Sequence, residues 1–362
     1  MRLSGESAVK YLAWKSVACM TMAMATVGVA AQQPAHKWAI VVHGGAGVIE
    51  RAHMSAQTEA DYRASMAEAL KAGADVLDRG GSSLDAIEAV IKILEDNPLF
   101  NAGRGAVFTA EGKNELDAAM MDGSTLKAGA VAGVMRTRHP ISLARAVMEK
   151  SQHVMLIGPG ADAFAAQVGL EQVDPSFFFT ERRWQGLVKE LKEQGLPIPP
   201  RPAGAPPAPA VPVAELEPPQ AHKYGTVGVV ALDKQGHIAA GTSTGGLTAK
   251  RWGRVGDSPI IGAGTYASNA SCAVSGTGTG EYFIRLGVAR EVCELVRMKG
   301  LSLQKAVDEV IHTELEGLHG DGGVIAIAPD GQMAWSFNTP GMYRARQAEG
   351  GKPEIAIYND EP

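Results

Sequence analysis

Gly225-Thr226-Val227-Gly228-Val229-Val230-Ala231-Leu232-Asp233 is an apolar run that opens on a small residue and a hydroxyl and closes on a turn signal. A valine-rich run of this length, bounded by turn residues, reads as a buried strand. Lys234-Gln235-Gly236 is a hairpin turn, and residues 237–244 (HIAAGTST) return against it. Further out, residues 37–44 (KWAIVVHG) form another apolar run. Residues 323–328 (GVIAIA) and 332–337 (QMAWSF) make a second hairpin through Pro329-Asp330-Gly331. HGGAG at 43–47 reads as a tight turn, because glycine tolerates positive φ and close backbone approach. Helical patterns fill residues 56–79, about 142–151, 181–194, 279–298 and 303–317. Another starts at Ser82 or Ser83 and stops at Pro98. In it Ser82 and Asp85 have capping-box spacing, and Leu84, Ile87, Ile91 and Leu94 share one face. Hairpins and helices in separate runs predict sheet layers with helices packed outside.

Upstream of the strand the character is opposite. Ten of the 20 prolines fall between Pro197 and Pro219, so the stretch before Thr226 reads as an exposed, extended linker that packs no core. Glycine, 43 of 362 residues, gathers in turns. The net charge of −5 argues against nucleic-acid binding. At the start of the chain, Arg2, Lys10 and Lys15 precede an uncharged run from Ser16 to Ala30, followed by small residues. That order is a secretory signal over residues 1–30, with an uncleaved anchor as the competing reading. Its removal would move the charge from −5 to −7 and leave Cys272 and Cys293, which could pair in an oxidising compartment but read better as buried thiols.

Four segments after the linker carry chemistry. A cut between Gly225 and Thr226 would give Thr226 an α-amine beside its hydroxyl. With a pKa of ~7.7–8.0, that amine accepts the hydroxyl proton; the competing reading is an ordinary strand threonine. Thr242, Ser243 and Thr244 end the return strand, and Thr242 and Thr244 share a face. Arg254 and Asp257 flank Gly256, a spacing that suits an α-carboxylate and an α-ammonium, or a plain loop salt bridge. Thr277, Gly278 and Thr279 lead into a helix, where backbone N–H groups stabilise an oxyanion. Walker and Rossmann spacings do not fit.

GTVG at 225–228, TSTGG at 242–246, GRVGDSP at 253–259 and GTGTGE at 276–281 resemble the plant-type asparaginase/isoaspartyl peptidase family of N-terminal nucleophile hydrolases. HGGAG at 43–47, NPLFNAGRGAVF at 97–108, ELDAAMMDG at 115–123, KAGAVAGV at 127–134 and FNTPGMYRA at 337–345 also match. The resemblance implies an α+β fold, a four-layer αββα sandwich, in one domain over residues 31–362. Self-cleavage would divide it into an α subunit of residues 31–225, ending in the linker at 195–225, and a β subunit of residues 226–362. Thr226 would be the nucleophile of both self-cleavage and catalysis. Thr244 would hydrogen-bond it, Thr277 and Gly278 would form the oxyanion hole, and Asn101 would lie nearby. Arg254 and Asp257 would clamp the substrate. Main-chain carbonyls of Leu94, Glu95, Asn97, Phe100, Ala102 and Arg104 would hold a structural Na+, and catalysis would need no cofactor.

The implied reaction is hydrolysis of β-aspartyl dipeptides and L-asparagine through a β-aspartyl ester on Thr226. Substrates would be small molecules and dipeptides, with no nucleic acid and, after signal removal, no membrane. The implied assembly is a dimer of αβ heterodimers in the periplasm. Two alternatives are a glycosylasparaginase-type amidase and a non-catalytic binder of aspartate-like ligands. Gly245, Thr279 and Glu281 favour the isoaspartyl peptidase branch over the first. The complete nucleophile set argues against the second.

Overall fold

The computed structural model describes residues 37–209 and 225–361. The expected signal at 1–30 and residues 210–224 of the proline-rich stretch lie outside the described residues.

Twelve strands are described: β1 Ala39–Gly47, β2 Leu116–Asp122, β3 Ala128–Val134, β4 Met155–Ile157, β5 Val227–Leu232, β6 Ile238–Thr244, β7 Thr265–Ala267, β8 Ala273–Gly278, β9 Gly322–Ile327, β10 Met333–Phe337, β11 Gly341–Ala348 and β12 Glu354–Tyr358. They form an eight-stranded sheet in the order β12-β11-β1-β5-β6-β2-β3-β4 and a four-stranded sheet in the order β10-β9-β8-β7. All neighbours are antiparallel except β3 and β4.

Side-chain parity resolves the layers. Ile40 and Val42 of β1, with Val227, Val229 and Ala231 of β5, pack into an outer core with helices α1 (Ala56–Asp78), α2 (Ser83–Asp96) and α3 (Pro140–Lys150). The alternate residues Ala39, Val41, Val230 and Leu232 meet Ile325 and Ile327 of β9 in a core between the sheets. On β9 the other parity, Val324 and Ala326, faces helices later in the chain. The result is helix, sheet, sheet, helix, because strands with two apolar faces demand cover on both. The capping box of Ser82 and Asp85 starts α2 as expected. Two further helices, α4 (Gly158–Gln167) and α5 (Glu181–Glu193), complete the first half.

Several local expectations change. HGGAG is not a tight turn: β1 continues through it, with a bulge between His43 and Gly45 where it pairs with β11. The helix expected over 279–298 breaks at Gly287, whose left-handed backbone separates α6 (Gly280–Leu286) from α7 (Val288–Lys299). The helix expected over 303–317 is regular only as α8 (Leu303–Glu309) and continues as a π-turn over Val310–Leu315. The described start of the proline-rich stretch does pack. Leu196 and Ala205 lie against Phe108, Phe179 and Trp184. Arg201 pairs with Glu181 and lies 4.7 Å from the Phe179 ring centroid. Interspersed Leu, Ala and Arg supply those contacts, and stiff proline rings lose little entropy in making them.

Cys272 and Cys293 form a disulfide, not the expected pair of free thiols. Cys272 immediately precedes β8, and Cys293 lies on the face of α7 that packs against that strand. Packing brings their Cα atoms to 5.3 Å. Denatured, unreduced protein should show neither thiol to a titrating reagent. The double Cys272→Ala, Cys293→Ala variant should lose about 3 kcal/mol of stability in chemical unfolding, the loop-closure expectation for this spacing. Reactive Cys272 or Cys293 in unreduced protein would contradict the pairing.

Candidate active site

Thr226 sits at the entrance to β5, and the register decides what it faces. Val227 pairs with Ser243 and Gly228 with Thr242, so Thr226 falls opposite Thr244. Their hydroxyls are 3.0 Å apart, and Thr244 Oγ1 also accepts from the Gly246 amide at 3.0 Å. Thr226 and Gly228 have the parity of Val230, so they point between the sheets. The interlayer space is apolar over most of its length and rich in hydroxyls at this end.

Asn101 holds the surrounding turns. Its Nδ2 donates to the Gly246 carbonyl at 2.8 Å and its Oδ1 accepts from the Val107 amide at 3.0 Å. Its carbonyl accepts from Gly245 N, and its amide donates to the Gly225 carbonyl, each at 3.0 Å. That last bond polarises the carbonyl of the Gly225–Thr226 peptide.

One pocket is lined by Thr226, Thr244, Gly246, Arg254, Asp257 and Gly278, among others. The structure therefore brings four of the sequence-derived site residues, Thr244, Arg254, Asp257 and Gly278, to one space beside the nucleophile candidate Thr226. Thr277 is buried next to Gly278, and its hydroxyl accepts from the Ala46 amide at 3.3 Å. Arg254 and Asp257 do not pair as a simple loop salt bridge. Arg254 makes a two-pronged pair with Glu281, both bonds 2.9 Å, which pulls the Glu281 carboxyl below the usual range. Asp257 is fully enclosed, and its Oδ2 has no hydrogen-bond partner. Burial pushes its carboxyl up to about 7, against the opposing charge of Arg254. An unpaired buried carboxylate beside an aligned guanidinium suits a ligand that carries both charges.

Sequence reasoning singled out neither Glu281 as a partner of Arg254 nor the buried pair beneath the pocket. Lys250 Nζ donates to the Glu115 carbonyl at 2.9 Å and lies 3.9 Å from Asp117 Oδ2. Asp117 lies in the matched segment at 115–123 and Lys250 between two matched segments, and nothing in their spacing links positions so far apart.

The loop after α2, which carries Asn101, is closely packed on itself. The Phe100 carbonyl stands 1.9 Å from where a Cβ on Gly105 would lie, and the Glu95 carbonyl 2.2 Å from one on Gly103. Leu94, Asn97 and Ala102 carbonyls accept single amide bonds within the loop, which leaves each a lone pair. Neutral oxygens with a spare lone pair are the donor type a hard cation takes. The Arg104 side chain is exposed, 5.6 Å from the Phe177 ring, so its charge stays outside. The Glu95 side chain points elsewhere, accepting from Ser243 Oγ at 2.6 Å, and burial raises it to about 8.

The family model described as asparaginase matches residues 36–357. The chain is similar to the isoaspartyl peptidase of Escherichia coli (strain K12), 49% identical over 325 residues that cover 90% of this chain and 97% of that protein. It is also similar to the probable isoaspartyl peptidase/L-asparaginase 2 of Arabidopsis thaliana, 42% identical over 89% of this chain and 99% of that protein. The plant-type L-asparaginase of Pyrococcus furiosus is 43% identical over 88% and 99% respectively.

The raised Asp257 carboxyl has a measurable sign. The unfolded chain ionises this group near ~3.9, whereas the fold holds its proton up to about 7. Between those values the unfolded state binds fewer protons, so the contribution of Asp257 to stability falls as pH rises. Asp257→Asn should gain in Tm over the parent as pH goes from 4 to 8. A difference that does not change with pH would refute the burial argument.

Proposed function

We propose, because the chain belongs to the asparaginase family, that it hydrolyses β-aspartyl dipeptides and L-asparagine after cutting itself between Gly225 and Thr226. The single observation that carries this reading is the 3.0 Å contact of Thr226 and Thr244 hydroxyls in a pocket shared with Arg254, Asp257 and Gly278.

In the uncut chain the Thr226 nitrogen is an amide and has no basic lone pair. Thr226 Oγ1 attacks the Gly225 carbonyl carbon, which Asn101 N polarises. The carbon–nitrogen bond then breaks as the nitrogen takes the hydroxyl proton, which leaves a free α-amine on Thr226 and the Gly225 acyl group as an ester on Oγ1; water hydrolyses that ester, releasing the Gly225 carboxylate and restoring the Thr226 hydroxyl. In the mature enzyme that amine accepts the hydroxyl proton as Oγ1 attacks the side-chain carbonyl of the substrate. Thr277 and Gly278 stabilise the oxyanion. The carbon–nitrogen bond breaks, the leaving amine takes the proton, and a β-aspartyl ester remains on Thr226. Water then attacks that ester and L-aspartate leaves. Arg254 takes the α-carboxylate and Asp257 the α-ammonium, so a free aminoacyl end is required.

Catalysis uses no cofactor. A structural Na+ on the main-chain carbonyls of residues 94–104 is supported by the close approach of the Glu95 carbonyl to Gly103 and of the Phe100 carbonyl to Gly105. Export to the periplasm is supported by the charged, apolar, small-residue order of residues 2–31 and by the Cys272–Cys293 disulfide. The dimer of αβ pairs is carried over from the family resemblance.

Mature protein should run as two fragments on denaturing gels, and N-terminal sequencing should place Thr226 first in the smaller. Thr226→Ala should stay uncut and lose more than about a thousandfold in activity. An uncut but fully active parent would sink the mechanism. Asp257→Ala should cut itself normally yet lose about a hundredfold in kcat/KM on β-aspartyl-leucine; parental kcat/KM would refute the clamp.

A further inference from the structure

The interlayer face carries a second set of polar side chains that this reaction does not use. His43 Nε2 meets Ser275 Oγ at 3.0 Å, and Ser275 Oγ meets Thr242 Oγ1 at 2.7 Å. Thr242 Oγ1 meets Thr265 Oγ1 at 2.7 Å, and Thr265 Oγ1 meets the Ser258 carbonyl at 3.0 Å. Thr242 Oγ1 also reaches the Gly264 carbonyl at 3.2 Å. All four side chains are enclosed by protein. They come from β1, β6, β7 and β8, so one hydrogen-bonded chain ties both sheets together.

The chain passes through β5 at the one place that permits it. Gly228 lies between His43 and Thr242 in the sheet register. A Cβ at 228 would stand 2.3 Å from His43 Nε2 and 2.0 Å from Ser275 Oγ. The second glycine of GTVG is thus the opening that lets two side chains meet. Each link also neighbours a site residue. Gly228 shares a strand face with Thr226, Thr242 with Thr244 and Ser275 with Thr277, while Ser258 follows Asp257. His43 remains neutral: burial pushes its imidazole down to about 3, against the pull of the Thr226 backbone.

We propose that His43, Ser275, Thr242 and Thr265 are positioning residues, whose relay fixes the Thr226 strand, the Thr277–Gly278 segment and the Asp257 loop in one register across the two sheets. The inference rests on Thr226 being the nucleophile. Apolar contact between sheets is non-directional, whereas a hydrogen bond fixes distance and angle. Each hydroxyl donates once, so the links are cooperative and the loss of one weakens its neighbours. Misplacement of reacting groups by about 1 Å costs up to about a hundredfold in rate.

The test separates relay from packing by opposite signs. Thr242→Val keeps the shape and removes the hydroxyl; Thr242→Ser keeps the hydroxyl and removes a buried methyl. Rates are taken per self-cleaved chain on β-aspartyl-leucine, well below Tm. The relay predicts a kcat about tenfold lower for Thr242→Val, with KM within about twofold, and a kcat within about threefold of parent for Thr242→Ser. It also predicts that His43→Gln and Thr242→Val combined lose less than the product of their separate losses. A parent-like Thr242→Val, a Thr242→Ser worse than Thr242→Val, or fully multiplicative losses would overturn it. If Thr242→Val does not fold, Thr265→Val and Thr265→Ser give the same comparison at the next link. Failure of the relay shows as parent-like rates in these variants. Failure of the nucleophile reading shows instead in Thr226→Ala.

Discussion

Two sheets packed face to face exclude solvent from the layer between them, so every polar group there must find its partner in protein. This constraint organises the molecule. Over most of the layer it is met by omission, with Val41, Val230, Ile325 and Ile327 in apolar contact. At one end it is met by hydroxyls that satisfy one another, and there the strand that begins at Thr226 enters the sheet. The reactive centre stands at the boundary between these two solutions. It has a rigid apolar body behind it and polar strand ends around it.

The carboxylates near the site show what that placement costs. Asp257, Glu95 and Asp117 are all enclosed, and burial raises each above the usual carboxylate range. Each keeps a compensating contact: Glu95 accepts from Ser243 Oγ and Ile141 N, and Asp117 accepts from Gly133 N at 2.8 Å near Lys250. Each of the three also keeps one oxygen without a hydrogen-bond partner, and of the three only Asp257 lines the pocket. A fold optimised for stability alone would not leave a carboxylate so placed.

Much of this was legible in sequence because it is local. The hairpin from Thr226 to Thr244, the capping box at Ser82 and the ends of α5 follow from patterns within a few residues of each other. The register of that hairpin already places Thr226 opposite Thr244. What sequence could not show is stacking. His43 meets Ser275 from 232 positions away, and no periodicity in either segment specifies how two sheets lie on each other. The same non-locality hid the Cys272–Cys293 bond and the pairing of Arg254 with Glu281. Gly287 was misread for a different reason: one glycine in a long helical pattern is usually tolerated, and only its left-handed backbone reveals the break. The site residues themselves came from motif resemblance, and the structure adds the reason for their spacing.

The pair formed by Arg254 and Glu281 has a further consequence. The guanidinium that points into the pocket is already occupied by a carboxylate of the same chain. Glu281 holds Nε and Nη2, whereas Nη1 lies beside Gly246 and Gly256 of the pocket lining, so the protein's own acid shares the cation with whatever approaches that side. A cation whose charge is already partly balanced attracts a second carboxylate less strongly than a bare one would. The pair also keeps the guanidinium oriented and its charge balanced, so its remaining Nη1 donors are held in position at the pocket wall before anything arrives.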